Sequence, residues 1–258
     1  MAGEAELWCL RLGVVPYREA AELQRVLSSA RQQDRIPDVL VVLQHTPVLT
    51  KGRRSEPREL GMGEEWYRMQ GIEVCETDRG GRVTYHGPGQ LVAYPIVDLG
   101  GLRPDGRPDV HEFVRSLEHV MIETLGEHGI PAQVFAGLTG VWTAGTPPLG
   151  DPTDARKIGS IGIHVTRGVT THGLAVNVNN DLQPFEWIVP CGIDAVRMTS
   201  VGRELGSEQD LDAFGATLVN RCSEALNRRL RIVEPADLAE RVEGAEAILQ
   251  GPAAGALR

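Results

Sequence analysis

The run DVLVVLQ, Asp38 to Gln44, sets the first constraint on the fold. It has the length and the branched residues of a buried strand, so a core has to be assembled around it. Before it, Glu6 to Val14 alternates as a short strand does, and Pro16 opens PYREAAELQRVLSSARQQ, where Ala20, Leu23, Val26 and Leu27 recur at helical spacing. After it, His45, Thr46 and Pro47 end the apolar run in a loop towards Gly52, and Ile72 to Glu76 reads as another short strand. Gln90 to Val97 is strand-like. Val110 to Leu125 places Phe113, Leu117, Val120, Met121 and Leu125 on one side of an amphipathic helix that Gly126 and Gly129 terminate. Pro131 to Phe135 and Gly137 to Thr143 read as strands, and AGTPPLGDPTDA, Ala144 to Ala155, as an inserted loop. Ile158 to Val165 and Thr170 to Val178 form a hairpin turning at Arg167-Gly168. The last third reads as helical, over Gln209 to Leu226 and Pro235 to Leu249.

Strands and helices thus mix without regular alternation, which favours an α+β fold, a mixed or mostly antiparallel sheet packed with helices, over a doubly wound parallel one. A chain of 258 residues, 41% of them apolar, can bury a sizeable core, and a single domain over residues 1–250 is expected, with 251–258 as a flexible tail. The balance of 26 basic against 35 acidic residues, net −9, gains nothing from counterion release, so nucleic acid is not an expected partner. No stretch approaches the ~18 apolar residues of a membrane span, and the opening MAGEAELWCLRLG carries no basic leader; a cytoplasmic protein without membrane association is expected. There is no GxGxxG after the first strand, no GxxxxGK[ST], no GxSxG and no HExxH. Cys9, Cys75, Cys191 and Cys222 form no CxxC pair, so neither a disulfide framework nor a zinc knuckle is indicated.

Three segments carry chemistry. RGGRVTYHGPGQ, Arg79 to Gln90, exposes backbone N–H groups and adds more hydrogen-bonding side chains than a structural turn requires. KIGSIGIHVTRGVTTHGLAVNVNNDL, Lys157 to Leu182, puts small residues inside strands at Gly159, Ser160, Gly162, Gly173 and Ala175; a narrow slot explains them, as does tight packing. WIVPCGI, Trp187 to Ile193, sets Cys191 at a Pro-Cys-Gly turn, where a sulfur can be exposed. A cysteine is ordinarily an inert buried hydrophobe, which suits Cys9, Cys75 and Cys222. Only Lys51 and Lys157 are lysines in a chain that otherwise uses arginine for its cations.

RGGRVTYHGPGQ, KIGSIGI, THGLAVNVNNDL and PCGI, in this order and spacing and joined by QHTPVLTKGR upstream, resemble the lipoyl(octanoyl) transferases over roughly residues 7 to 230. The resemblance implies the fold of biotin and lipoate protein ligase catalytic domains. It also implies a two-step transfer, in which octanoyl leaves acyl carrier protein for an enzyme cysteine and then reaches a lysine of a lipoyl domain. Acceptors of that kind are the lipoyl domains of 2-oxoacid dehydrogenase complexes and the glycine cleavage H protein, and no cofactor is implied. The family's catalytic cysteine falls on Cys191 and its lysine on Lys157. Its acyl-binding positions fall on Arg79, Gly80, Gly81, Arg82, Val83, Thr84, Tyr85 and His86, on Ser160, Ile161 and Gly162, and on Gly173, Leu174 and Ala175. Gly159-Ser160 stands where the family often has two alanines, and the insertion before Lys157 is longer than in many relatives.

The chemistry of such a transfer matches those residue types. A thiol of reference pKa ~8.5 gains from a nearby ammonium that favours the thiolate. The incoming lysine has to lose a proton before it attacks, and a buried lysine can act as base where arginine cannot. His86 and backbone N–H groups are candidates for holding the oxyanion, and His172 for holding the loop near Cys191. The rival readings are an ATP-dependent lipoate ligase of the same fold, a non-catalytic module that binds lipoyl domains or acyl carriers, and a zinc site from Cys191, His164 and His172.

Overall fold

The computed structural model describes residues 5–145, 154–189 and 196–249. Its main body is an eight-stranded mixed sheet assembled from β1 (Glu6–Val15), β2 (Asp38–His45), β6 (Gln90–Ile96), β7 (Ala132–Phe135), β8 (Leu138–Thr143), β9 (Lys157–Thr166), β10 (Val169–Asn177) and β11 (Arg229–Val233), in the spatial order β11-β1-β2-β6-β10-β9-β8-β7. The β11-β1 and β1-β2 pairs are parallel and the others antiparallel. A second sheet of three strands, β4-β3-β5, joins β3 (Val48–Lys51), β4 (Glu73–Glu76) and β5 (Thr84–His86).

Period-two alternation sorts the side chains of the large sheet into two cores. Leu7, Cys9, Leu40, Val42, Leu91, Leu174 and Val176 face α3 (Val110–Glu127) and α6 (Leu211–Ala225). Trp8, Leu10, Val39, Val41, Val92 and Tyr94 face α1 (Tyr17–Gln32) and the C-terminal pair α7 (Pro235–Ala239) and α8 (Glu246–Leu249). Every residue of β2 is buried, as its apolar run demands. A third core, under the small sheet, packs Leu49, Tyr67, Val83 and Tyr85 against Phe185, Ile188 and Met198. That third core takes Tyr67 from α2 (Glu64–Met69) and Phe185 from α4 (Gln183–Glu186), while Val201 of α5 (Val201–Leu205) joins the core beside α3 and α6.

Three sequence expectations need correction. The stretch from His45 to Gly52 is not all loop, because Val48–Lys51 forms β3, parallel to β4 and antiparallel to β5. The last third is not all helical, because Arg229–Val233 adds β11 to the edge of the large sheet beside β1. Pro235 to Leu249 is two short helices, divided by a turn in which Gly244 has φ +85°. The inserted loop Ala144 to Ala155 lies mostly, and residues 251–258 entirely, outside the described residues.

The large sheet is interrupted where β6 meets β10. Pro95 has no N–H to give the β10 ladder, and regular pairing of β10 with β6 stops at Leu174–Ala93. The Thr170 hydroxyl fills the gap, donating to the Pro95 carbonyl at 2.6 Å and accepting from the Val97 N–H at 2.9 Å. Gly173 sits against this break. A Cβ there would lie 2.1 Å from the Ala93 carbonyl oxygen, so no larger residue fits. The next residue back, His172, takes φ +58°, and its N–H turns away to the Gln24 side chain at 2.6 Å. No helix among the described residues is long and apolar enough to cross a membrane.

A buried ion cluster ties four chain segments together at one end of the sheet. Asp38, with its side chain 2% exposed, receives Arg31 Nε at 2.8 Å and Arg228 Nε at 3.0 Å, and also the Asp98 N–H at 3.1 Å. Removing one member of a buried charge cluster leaves the others uncompensated. Asp38→Ala should therefore lower the unfolding free energy by about 3–5 kcal/mol, read by urea denaturation, and a loss under 1 kcal/mol would show the cluster to be dispensable.

Candidate active site

The Gly-rich segment lies along the outer edge of β9. The Gly80 N–H donates to the Ile163 carbonyl at 2.9 Å, and a Cβ on Gly162 would come within 2.9 Å of the Gly80 carbonyl oxygen. Arg79 fastens this segment to β3, with Nη2 donating to the Thr50 carbonyl and hydroxyl oxygens, each at 2.7 Å. Arg82 is held by Glu59 at 2.6 Å and Glu56 at 2.8 Å.

These strands and loops enclose a cavity of about 500 Å³, within the range typical of small-molecule sites. Arg79, Gly80, Gly81, Arg82, Thr84 and His86 line it, together with Ser160, Ile161, Gly162, Gly173, Leu174 and Ala175. Val83 and Tyr85 do not. Alternation along β5 turns Tyr85 to the opposite side, and with Val83, just before the strand, it joins the core under the small sheet, where Tyr85 meets Phe185 edge-on. The cavity also takes in His172 and, unmarked by the motifs, Tyr17, Tyr94, His111, Leu138 and Thr139.

One end of the cavity is built from a buried aromatic and imidazole network. His45 Nδ1 lies 2.8 Å from the Val15 carbonyl oxygen, which can only accept, so that nitrogen carries the proton. Its Nε2 is then the acceptor for the Tyr94 hydroxyl at 2.7 Å. Gln90 donates its amide N–H to the Tyr85 carbonyl and to Asn177, so its oxygen accepts from His86 Nδ1 at 2.6 Å. Burial pushes the pKa of His45 down to about 4 and that of His86 down to about 3, so both rings are neutral. His172 donates from Nε2 to Asp78 at 2.7 Å, and this bond first of all holds the Asp78 carboxyl at about 2. His164 lies against the other Asp78 oxygen at 3.6 Å. Both imidazoles thus lean on one carboxylate before the Gly-rich loop.

Lys157 occupies the cavity wall, with only 2% of the residue exposed. Its Nζ donates to the Thr139 carbonyl at 2.7 Å and sits 4.9 Å from the centroid of the Trp142 ring. Its backbone pairs with the segment that follows residue 195: the Lys157 N–H donates to the Arg197 carbonyl at 2.8 Å, and its carbonyl accepts from Thr199 at 2.9 Å. Asn177 Nδ2 binds the Thr199 carbonyl at 3.0 Å and so joins this segment to the Gln90 network. Earlier in the chain, Val189 donates to the Glu59 carbonyl at 3.1 Å, and the Tyr67 hydroxyl to the Trp187 carbonyl at 2.6 Å. Cys191 itself lies outside the described residues. The other three cysteines are buried, and burial pushes their thiols up to about 12 at Cys9, 11 at Cys75 and 12 at Cys222, which removes them as nucleophiles. The other lysine, Lys51, is tied to Glu64 and Glu76 near the surface.

The fold is that of lipoate protein ligases. The bipartite lipoate protein ligase of Thermoplasma acidophilum aligns with 95% of this chain and 90% of its own, at TM-score 0.70 and 17% identity, and a lipoate-protein ligase A bound with ATP at TM-score 0.68 and 17%, over 95% of this chain and 92% of its own. The family model for the lipoyl protein ligase A/B catalytic domain matches residues 16–223, and the chain belongs to that family. Within it the chain groups with the octanoyltransferases, a class of acyltransferase. It is 45% identical over 203 residues to the octanoyltransferase of Koribacter versatilis (79% of this chain, 77% of that one) and 40% over 225 residues to that of Corynebacterium efficiens (86% and 83%).

The neutral, buried imidazoles make stability depend on pH. Between the ordinary value of 6.5 and their lowered values, the unfolded chain binds protons at His45 and His86 that the folded chain refuses, so unfolding free energy falls as pH falls through that window. From pH 7 to pH 5 the two together should cost about 3–4 kcal/mol, measured by urea unfolding. His86→Asn, which keeps a donor near the Nδ1 position, should roughly halve that dependence; an unchanged slope would mean that His86 is protonated in the folded protein.

Proposed function

We propose that this chain carries octanoyl from acyl carrier protein, through a thioester on Cys191, to the acceptor lysine of lipoyl domains in 2-oxoacid dehydrogenase complexes and of the glycine cleavage H protein, in the cytoplasm. The observation that carries the reading is Lys157: a buried ammonium on the wall of a cavity with apolar and glycine surfaces, its backbone bonded to Arg197 and Thr199, a few residues beyond Cys191 in sequence. Membership among the octanoyltransferases supports the acyl group and the acceptor class.

The proton count closes on these residues. Beside the Lys157 ammonium, the Cys191 thiolate attacks the carrier thioester, and the new C–S bond forms as the bond to the phosphopantetheine sulfur breaks. Lys157 hands its proton to the departing thiolate and is left as a neutral amine. The acceptor lysine arrives as an ammonium, gives one proton to Lys157, attacks the Cys191 thioester and loses its second proton to water. The amide forms, Cys191 leaves as thiolate, and the starting charges are restored. Arg79 to Arg82, Thr84, His86, Ser160 to Gly162 and Gly173 to Ala175 surround the acyl chain. Each methylene contributes about 0.8 kcal/mol of transfer free energy, so selection between neighbouring chain lengths is modest.

Incubation with octanoyl-carrier should add one octanoyl mass to Cys191 of the intact protein, and Cys191→Ser should abolish transfer with the fold retained. Incorporation that requires ATP and free octanoate, without carrier, would establish a ligase instead; a protein that binds carrier but gains no mass would be a binding module. Lys157→Arg keeps a cation but cannot become a neutral amine, and should slow acceptor octanoylation by about 100-fold or more. Full activity in that variant would mean that charge alone suffices.

A further inference from the structure

Glu118 is a carboxyl group on the buried side of α3, set between Leu117 and Met121 of the core and only 8% exposed. Its Oε1 accepts from the Gly140 N–H at 3.0 Å. The other half of that same peptide group is the Thr139 carbonyl, the acceptor of Lys157 Nζ at 2.7 Å. In a trans peptide the N–H and the C=O point in opposite directions. One peptide plane therefore stands between the Glu118 carboxyl and the Lys157 ammonium, its positive end towards the first and its negative end towards the second. A bond at one end of such a unit strengthens the bond at the other.

The backbone at this point is shaped for close approach. Gly140 has φ +111°, outside what other residues readily adopt, and a Cβ there would lie 2.8 Å from Lys157 Nζ and 2.6 Å from the Gly159 carbonyl oxygen. Among the described residues nothing else is seen to hold the Gly140 N–H, so the direction of the Thr139 carbonyl depends on the Glu118 side chain. The sequence offers one sign of this, an acid among the apolar positions of an amphipathic helix.

We propose that Glu118 is a positioning residue for Lys157: by fixing the Thr139–Gly140 peptide it aims the carbonyl that holds the ammonium, and so sets where Nζ gives and takes its proton. This rests on the proposed role of Lys157. Glu118 acts through the peptide and touches neither the acyl group nor its carriers, so its effect falls on turnover and not on substrate binding.

The test compares Glu118→Gln, which keeps an acceptor oxygen at the same reach, with Glu118→Met, which keeps the reach and loses the acceptor. Steady-state octanoyl transfer from carrier to lipoyl domain is measured beside wild type and Lys157→Arg. Glu118→Met should lower kcat about 10- to 100-fold with KM for both substrates changed less than about twofold, and Glu118→Gln should recover kcat to within about threefold of wild type. Should Glu118→Met not fold, Glu118→Asp, which withdraws the acceptor by one methylene, takes its place with the same expected fall in kcat. Wild-type kcat in the Met or Asp variant, equal loss in the Gln and Met variants, or a loss confined to KM would each overturn the assignment. A fully active Lys157→Arg would overturn it as well, by removing the role of Lys157, whereas a slow Lys157→Arg beside a normal Glu118→Met sinks the Glu118 assignment alone.

Discussion

Burying an ammonium is the demand on which the rest of the site depends. Desolvation of a charge costs several kcal/mol unless hydrogen bonds replace the water it gives up. At Lys157 the replacement comes from the Thr139 carbonyl and the face of Trp142, whose own indole N–H finds no partner among the described residues. Among the described residues this shell has few members, and each is held in place. Thr139 is fixed through Gly140, and Lys157 itself through backbone bonds to Arg197 and Thr199 on the side away from β8. The strand register, the tight turn before β8 and the pairing of Lys157 with Arg197 and Thr199 therefore all converge on one nitrogen.

That convergence explains which parts of the fold could be read from sequence. The buried β2 run, the α1 and α3 stripes and the β9-β10 hairpin announce themselves through local periodicity, because each buries a continuous face. What escaped notice is held by partners elsewhere. β3 and β5 have four and three residues, and β3 is held between β4 on one side and β5 on the other. β11 reads as RLRIV, with charged residues at alternate positions, and its strand character comes from the β1 edge, where Arg229 and Glu6 form an ion pair. Gly244 divides the C-terminal helical pattern at a positive φ that periodicity alone does not reveal.

The site divides in the same way. Of the small residues that the strands carry, Gly162 and Gly173 line the cavity with Lys157, whereas Gly159 packs against Met121. Tyr17 and Tyr94 stand out in no motif, since each sits in an ordinary helix or strand context and reaches the cavity end only when β2, β6 and α1 are stacked. Val83 and Tyr85 belong to the core under the small sheet, because a contiguous motif does not make a contiguous wall where a strand shows alternate residues to opposite sides. His172, expected to hold the loop near Cys191, bonds to Asp78, while Cys191 lies outside the described residues.

His172 also shows how the framework and the cavity constrain each other. A left-handed backbone at a non-glycine residue costs of the order of 1–3 kcal/mol and persists only where surroundings over-determine it. Here they do: Pro95 withholds a ladder donor, Gly173 fits flat against the Ala93 carbonyl, Gln24 accepts the displaced N–H, and Asp78 fixes the ring. Relieving the strain by regularising β10 would reverse the side to which residue 172 points, taking its imidazole off the cavity wall and leaving Asp78 without its hydrogen bond. The proline inside β6 is therefore tolerated because it breaks the ladder where a polar side chain has to enter the cavity wall, and the glycine beside it keeps that break from opening the sheet.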